Sequence, residues 1–98
     1  MEGTNRLHEL RDSDRMQWLD AAHGWRAEPD DVVNALAADG YQECKRETAR
    51  VPKALASGGM WQGIDHKTGA VASTVWTREA GGEPLVFITI NGQPLQGH

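Results

Sequence analysis

Four histidines (His8, His23, His66 and His98), one cysteine (Cys44) and fourteen acids are the side chains that could ligate a metal or run acid–base chemistry. Their spacing does not assemble either. No CxxC, HxxxH or HExxH is present. On one helix, the fifteen residues from His8 to His23 would rise ~22 Å, too far to share an ion. Cys44 is the one candidate thiol nucleophile, and Ser57 in Ser57-Gly58-Gly59 has no G-x-S-x-G elbow around it. A Cys–His or Ser–His pair could form only through the fold, with His23 or His66 as the base. Asp20 and His23 are three apart, a spacing that suits a solvated helix pair. Asp65-His66-Lys67 carries an acid, a base and a cation in sequence, and it is also plain turn chemistry. The glycine pairs Gly58-Gly59 and Gly81-Gly82 match no phosphate-binding loop. The sequence therefore implies no metal, no cofactor and no catalytic residue.

Binding chemistry is better represented. Lys45, Arg46, Arg50 and Lys53 lie within nine residues, and they suit an anionic partner or a balance of charge within the molecule. Four tryptophans stand against one Phe and one Tyr. Trp61 and Trp76 are expected on paired strands. Under a helix layer they are core; on an open face they are a protein or ligand site. Trp61, Trp76, Lys45, Arg46, Arg50 and Lys53 are thus the candidate partner-binding residues.

These residues must be positioned by a small scaffold. The 98 residues make one domain, with net charge −4. The charge is uneven: residues 1–43 hold ten acids and four bases, net −6, whereas residues 44–98 hold four acids and six bases, net +2. The acidic half argues against general nucleic-acid binding there. One cysteine excludes an internal disulfide. With no signal peptide in the first residues, a reducing cytoplasm is expected. No apolar run approaches the ~20 residues that span a bilayer.

Arg6 to about Gly24 has helical spacing at Leu7, Leu10, Met16, Leu19 and Trp18, Trp25. Asp14 and Gln17 form a capping box at which a second helix could start. Glu28-Pro29-Asp30-Asp31 opens another helix, and Asp39-Gly40 closes it. Tyr41–Val51 fits either period and is read as strand over Tyr41–Glu47. Pro52–Ser57 suits one helical turn. From Gly59 to Leu95 the chain reads as a meander. Met60–Ile64 is a strand, and Asp65–Gly69 is a hairpin with a glycine bulge. Ala70–Thr77 is the return strand, with Val71, Ser73 and Val75 on one face and Ala72, Thr74 and Trp76 on the other. Leu85–Ile90 is nearly all apolar and reads as central and covered on both faces. Asn91-Gly92 is a two-residue turn, and Pro94 confines the last strand to an edge.

The expected fold is α+β, with two or three N-terminal helices packed on one face of a three- or four-stranded antiparallel meander. The expected core is Leu10, Trp18, Leu19, Val33, Leu36, Ile64, Val75, Trp76, Val86, Ile88 and Ile90. The expected function is a non-catalytic cytoplasmic binding or regulatory module. It would act through protein contacts or self-association, as accessory factors and inhibitors of mobile elements do. The alternative is a small enzyme or ligand binder with a pocket between helices and sheet, around His23, Trp25, Cys44 and His66. A weaker alternative is nucleic-acid binding through residues 45–53.

Overall fold

The structure, a computed structural model, describes residues 5–51, 56–78 and 82–97. Two helices and seven strands follow one another among the described residues. They are α1 (Asn5–Arg11), β1 (Gln17–Asp20), β2 (Gly24–Arg26), α2 (Pro29–Ala38), β3 (Gln42–Val51), β4 (Ala56–Ile64), β5 (Val71–Arg78), β6 (Leu85–Ile90) and β7 (Gln93–Pro94). The strands form one sheet in the order β1-β2-β6-β5-β4-β3, with β7 beside β6. Every pairing is antiparallel. The protein is therefore α+β, but the sheet is wider than three or four strands. Two of the extra strands come from a stretch with helical periodicity.

That correction has a local cause. The helix from Arg6 stops at Arg11, where the Ser13 hydroxyl donates to the Leu10 carbonyl at 2.6 Å. Residues 17–26 then form a hairpin. Asp20 Oδ1 accepts the backbone N–H groups of Ala22 and His23 at 2.9 and 2.8 Å, an Asx-type turn. Gly24 takes φ +73° to finish it. Trp18 and Trp25 are seven apart, which fits one helix face. It equally fits a cross-strand pair, and that is their register. Their ring centroids lie 5.2 Å apart, edge to face. The Trp25 indole N–H donates to the Leu95 carbonyl at 2.8 Å, tying this hairpin to the C-terminal segment.

The other turns follow their grammar. Pro29 starts α2, and Gly40 leaves it at φ +107°. At the β4–β5 turn the Gly69 N–H donates to the Asp65 carbonyl at 2.7 Å, while the Asp65 carboxylate accepts from the Lys67 N–H. Asn91 and Gly92 both take positive φ, 51° and 79°, as a two-residue hairpin turn requires. β3 extends the strand reading of 41–47 to Val51. β4 begins at Ala56, so Ala56 and Ser57 are strand rather than helix; residues 52–55 lie outside the described residues.

α2 lies on β4 and β5, and α1 packs on α2. Asp39, at the end of α2, accepts the N–H groups of Arg6 and Leu7 at 2.6 and 3.0 Å. One helix end thus satisfies the orphan donors at the start of the other. The core between helices and sheet holds Leu7, Leu10, Val32, Val33, Leu36, Tyr41, Trp25, Trp61, Ala72, Val86 and Ile88, with Met16 and Ala27 at its margin. Of the expected core, Leu10, Val33, Leu36, Val86 and Ile88 are buried. Trp18, Leu19, Ile64, Trp76 and Ile90 are half-buried. Val75 is exposed. The alternation along β5 is as read, but the face taken for the core at Val75 is the outer one.

Among the described residues the core contains one unpaired side-chain polar atom. Thr74 is fully buried, and its hydroxyl finds no partner. Thr74→Val keeps the shape and removes the orphan. It is expected to stabilise the fold by about 1 kcal/mol, a rise of roughly 4–8 °C in Tm. A melt that shifts downward would mean the hydroxyl is paired.

Candidate functional site

The covered face of the sheet is marked by glycines beside tryptophans. Gly59 is the cross-strand partner of Trp76, and a Cβ there would stand 2.5 Å from the indole. The Trp61 ring lies over Gly63. Both indoles thus come close to glycine backbone that carries no side chain. Trp61 is 1% exposed and Trp76 is half-buried. They share a face but are not directly opposite, because Trp61 pairs with Thr74. Trp61 is therefore core, as the covered-face alternative has it, and offers no surface to a partner in this fold.

The basic stretch is divided by the pleat. Arg46 lies on the helix-side face with Trp61, and Lys45 lies on the opposite face with Gln62. A register shift at Cys44 brings Glu43 back to the helix side. Glu43 Oε1 accepts from the Trp61 indole N–H at 2.7 Å and from Arg46 Nε at 2.9 Å. Arg46 is thus engaged within its own strand. The Arg46 guanidinium, and after it the Trp61 N–H, hold the Glu43 carboxyl below the ordinary glutamate value. The Arg50 side chain and all of Lys53 lie outside the described residues.

A depressed carboxyl stabilises the fold above the ordinary glutamate range. That contribution is lost as pH falls through the lowered value. Glu43→Gln is therefore expected to be less stable than wild type at neutral pH. The gap should close on acidification below about pH 4. Urea midpoints at the two pH values check this, and a gap that persists in acid would sink it.

Of the residues of the enzyme alternative, His23 is not brought to Cys44. His23 sits in the β1–β2 turn, and Cys44 lies on β3 at the other edge of the sheet. About four strand spacings, roughly 20 Å, separate them. His66 is exposed at the β4–β5 turn. Among the described residues no three His, Cys, Asp or Glu converge on a metal-sized site. His98 lies outside them. A cleft of about 480 Å³ runs between the start of α1 and the β4–β5 turn, lined by Asp39, Asp65, His66 and Lys67. Both carboxylates already accept backbone N–H groups, Asp39 from Arg6 and Leu7 and Asp65 from Lys67. Both carboxylates thus hold local backbone structure.

The feature that sequence reasoning missed is the other face of the sheet. No helix among the described residues packs there. Val71, Val75 and Phe87 are 38%, 45% and 40% exposed. Register places Glu47, Met60, Val75 and Phe87 in one row across β3, β4, β5 and β6. The Phe87 ring leans over Gly24 of β2. The adjacent row is Lys45, Gln62, Ser73 and Thr89. There Gln62 Nε2 donates to Ser73 Oγ at 3.1 Å, which lays the longer side chain down across the sheet. On the far side Leu85 and Thr77 pair, and Arg26 is held by Glu83 at 2.8 Å and Gln17 at 3.1 Å.

The signal that could have found this face was present. Both faces of β5 read as half apolar, so alternation does not say which is inside. The glycines do. Gly59 and Gly63 leave room for indoles on one face only, and Met60 and Val75 fall on the other.

No family model, curated protein or solved structure matches this chain. No helix among the described residues is long and apolar enough to cross a membrane. Function must be argued from this chain's own surface.

Proposed function

We propose that the chain is a non-catalytic binding module that acts through protein contacts, with the open sheet face around Met60, Val75 and Phe87 as its contact surface. The observation that carries this reading is a row in which Val75 and Phe87 are left exposed beside the half-buried Met60 on a hydrogen-bonded sheet. Contiguous apolar surface of this kind marks interaction sites. The face has little net charge, since Glu47 stands beside Lys45 and Arg26 is held by Glu83. A neutral apolar surface suits a protein better than a nucleic acid or an anionic membrane. Arg46, one of the four cations of the nucleic-acid reading, is bound to Glu43. The role would be that of a regulator, an inhibitor or an accessory subunit. The exposed free thiol of Cys44 suits a reducing compartment.

The test compares wild type with a Val75→Asp/Phe87→Asp variant. Both positions are exposed, so the variant should keep its far-UV circular dichroism. Each is immobilised and exposed to lysate of the source cell, and retained proteins are quantified. Proteins held by wild type and lost by the variant are expected. Identical retention by the two would refute the reading.

A further inference from the structure

The open face is complementary to itself. Its two central rows differ in height and charge. One row is bulky and ends in an acid: Glu47, Met60, Val75, Phe87. The other is low and polar and ends in a base: Lys45, Gln62, Ser73, Thr89, with Gln62 lying across Ser73. Between them runs the inward-facing set Arg46, Trp61, Thr74 and Ile88. A two-fold axis at the level of that set, parallel to the sheet and perpendicular to the strands, exchanges the two rows.

We infer that the occupant of this face is a second copy of the chain, docked face to face about that axis. The contact is isologous. Met60, Val75 and Phe87 lie over the partner's Gln62, Ser73 and Thr89, so bulk meets low ground twice. Glu47 lies over the partner's Lys45, and Lys45 over the partner's Glu47. Sheets packed at about 10 Å leave room for both pairs to meet. One symmetry operation thus matches shape and charge together.

The face is small for a stable interface. Four strands by four rows cover about 19 by 27 Å, on the order of 500 Å² in plan. Stable complexes bury about 800 Å² per partner. The dimer should therefore be weak, with a dissociation constant on the order of 10–100 µM.

The inference rests on the open face being a contact surface and goes further by naming what covers it. Sedimentation equilibrium of the full chain, from about 5 to about 500 µM at low salt, tests it against that range. Wild type is expected to dimerise. Glu47→Lys sets like charges across the contact twice and should weaken the dimer about tenfold. Lys45→Glu combined with Glu47→Lys restores opposite charges and should bring it back. Val75→Lys should abolish it while leaving the thermal melt intact.

A wild type that stays monomeric throughout overturns the inference. So does a double swap that fails to restore the dimer. A dimer indifferent to Val75→Lys also overturns it, because the contact would then lie elsewhere, such as the unpaired edge of β3. If wild type is monomeric yet still retains a protein that Val75→Asp/Phe87→Asp loses, the second-copy inference fails and the binding-module reading stands.

Discussion

Trp61→Ala is expected to cost about 3–5 kcal/mol, the range for emptying a large aromatic site. The indole is 1% exposed and lies on the Gly63 backbone between β4 and the helices. Gly63 offers no side chain to fill the space, so the cavity cannot collapse from below. The substitution also strips Glu43 of its indole donor and leaves Arg46 as its remaining partner. A domain of this length holds only about 5–15 kcal/mol in total. The melt should therefore fall by about 15–30 °C. Trp61→Phe keeps most of the volume and loses the hydrogen bond, and it should fall by less than half as much. A Trp61→Ala protein that melts within a few degrees of wild type would show that the indole is not core.

Gly24→Ala is the second large effect. At φ +73° any side chain is strained, and here the space is also taken. A Cβ would stand 2.5 Å from the Val86 carbonyl oxygen and 3.0 Å from the Phe87 ring. The carbonyl belongs to the central strand and has little freedom to move. The expected cost is about 2–4 kcal/mol. Gly69→Ala is the control. Gly69 has nearly the same φ, +77°, with nothing near the added atom, so only backbone strain of about 1 kcal/mol applies. Gly24→Ala should also push the β1–β2 hairpin off β6 and disturb the Trp18–Trp25 pair. The tryptophan exciton signal in circular dichroism reads that change directly. Equal melts for the two alanine variants would mean that the hairpin does not pack on β6 as described.

The turns were legible in the sequence because each is set by a few adjacent residues. Pro29, Gly40, Asp65 through Gly69, and Asn91-Gly92 carry their geometry in their own chemistry. The first hairpin was not legible. Trp18 and Trp25 satisfy a helical face and a cross-strand register equally, and what decides is the room on β6 for a further strand. Which face lies open was not legible for a related reason. Trp61 and Trp76 drew attention by size, whereas Val75 and Phe87 look like ordinary core residues. Whether a strand's odd or even residues face solvent depends on where the helices land.

The four histidines and the lone cysteine, spaced without a motif, excluded ready-made metal and nucleophile signatures from the sequence alone. The sequence also determined the α+β class and the β4–β5–β6 meander, because local turn chemistry and period-two alternation suffice for both. Only the tertiary structure decided which sheet face is covered. It did so through Gly59 and Gly63, which let two indoles and α2 approach the backbone from one side. That choice buries Trp61, divides Lys45 from Arg46, and leaves Val75 and Phe87 open beside the half-buried Met60. Burial is a property of the assembled layers: the glycines mark where an indole can lie, and the packed helices decide that it is covered.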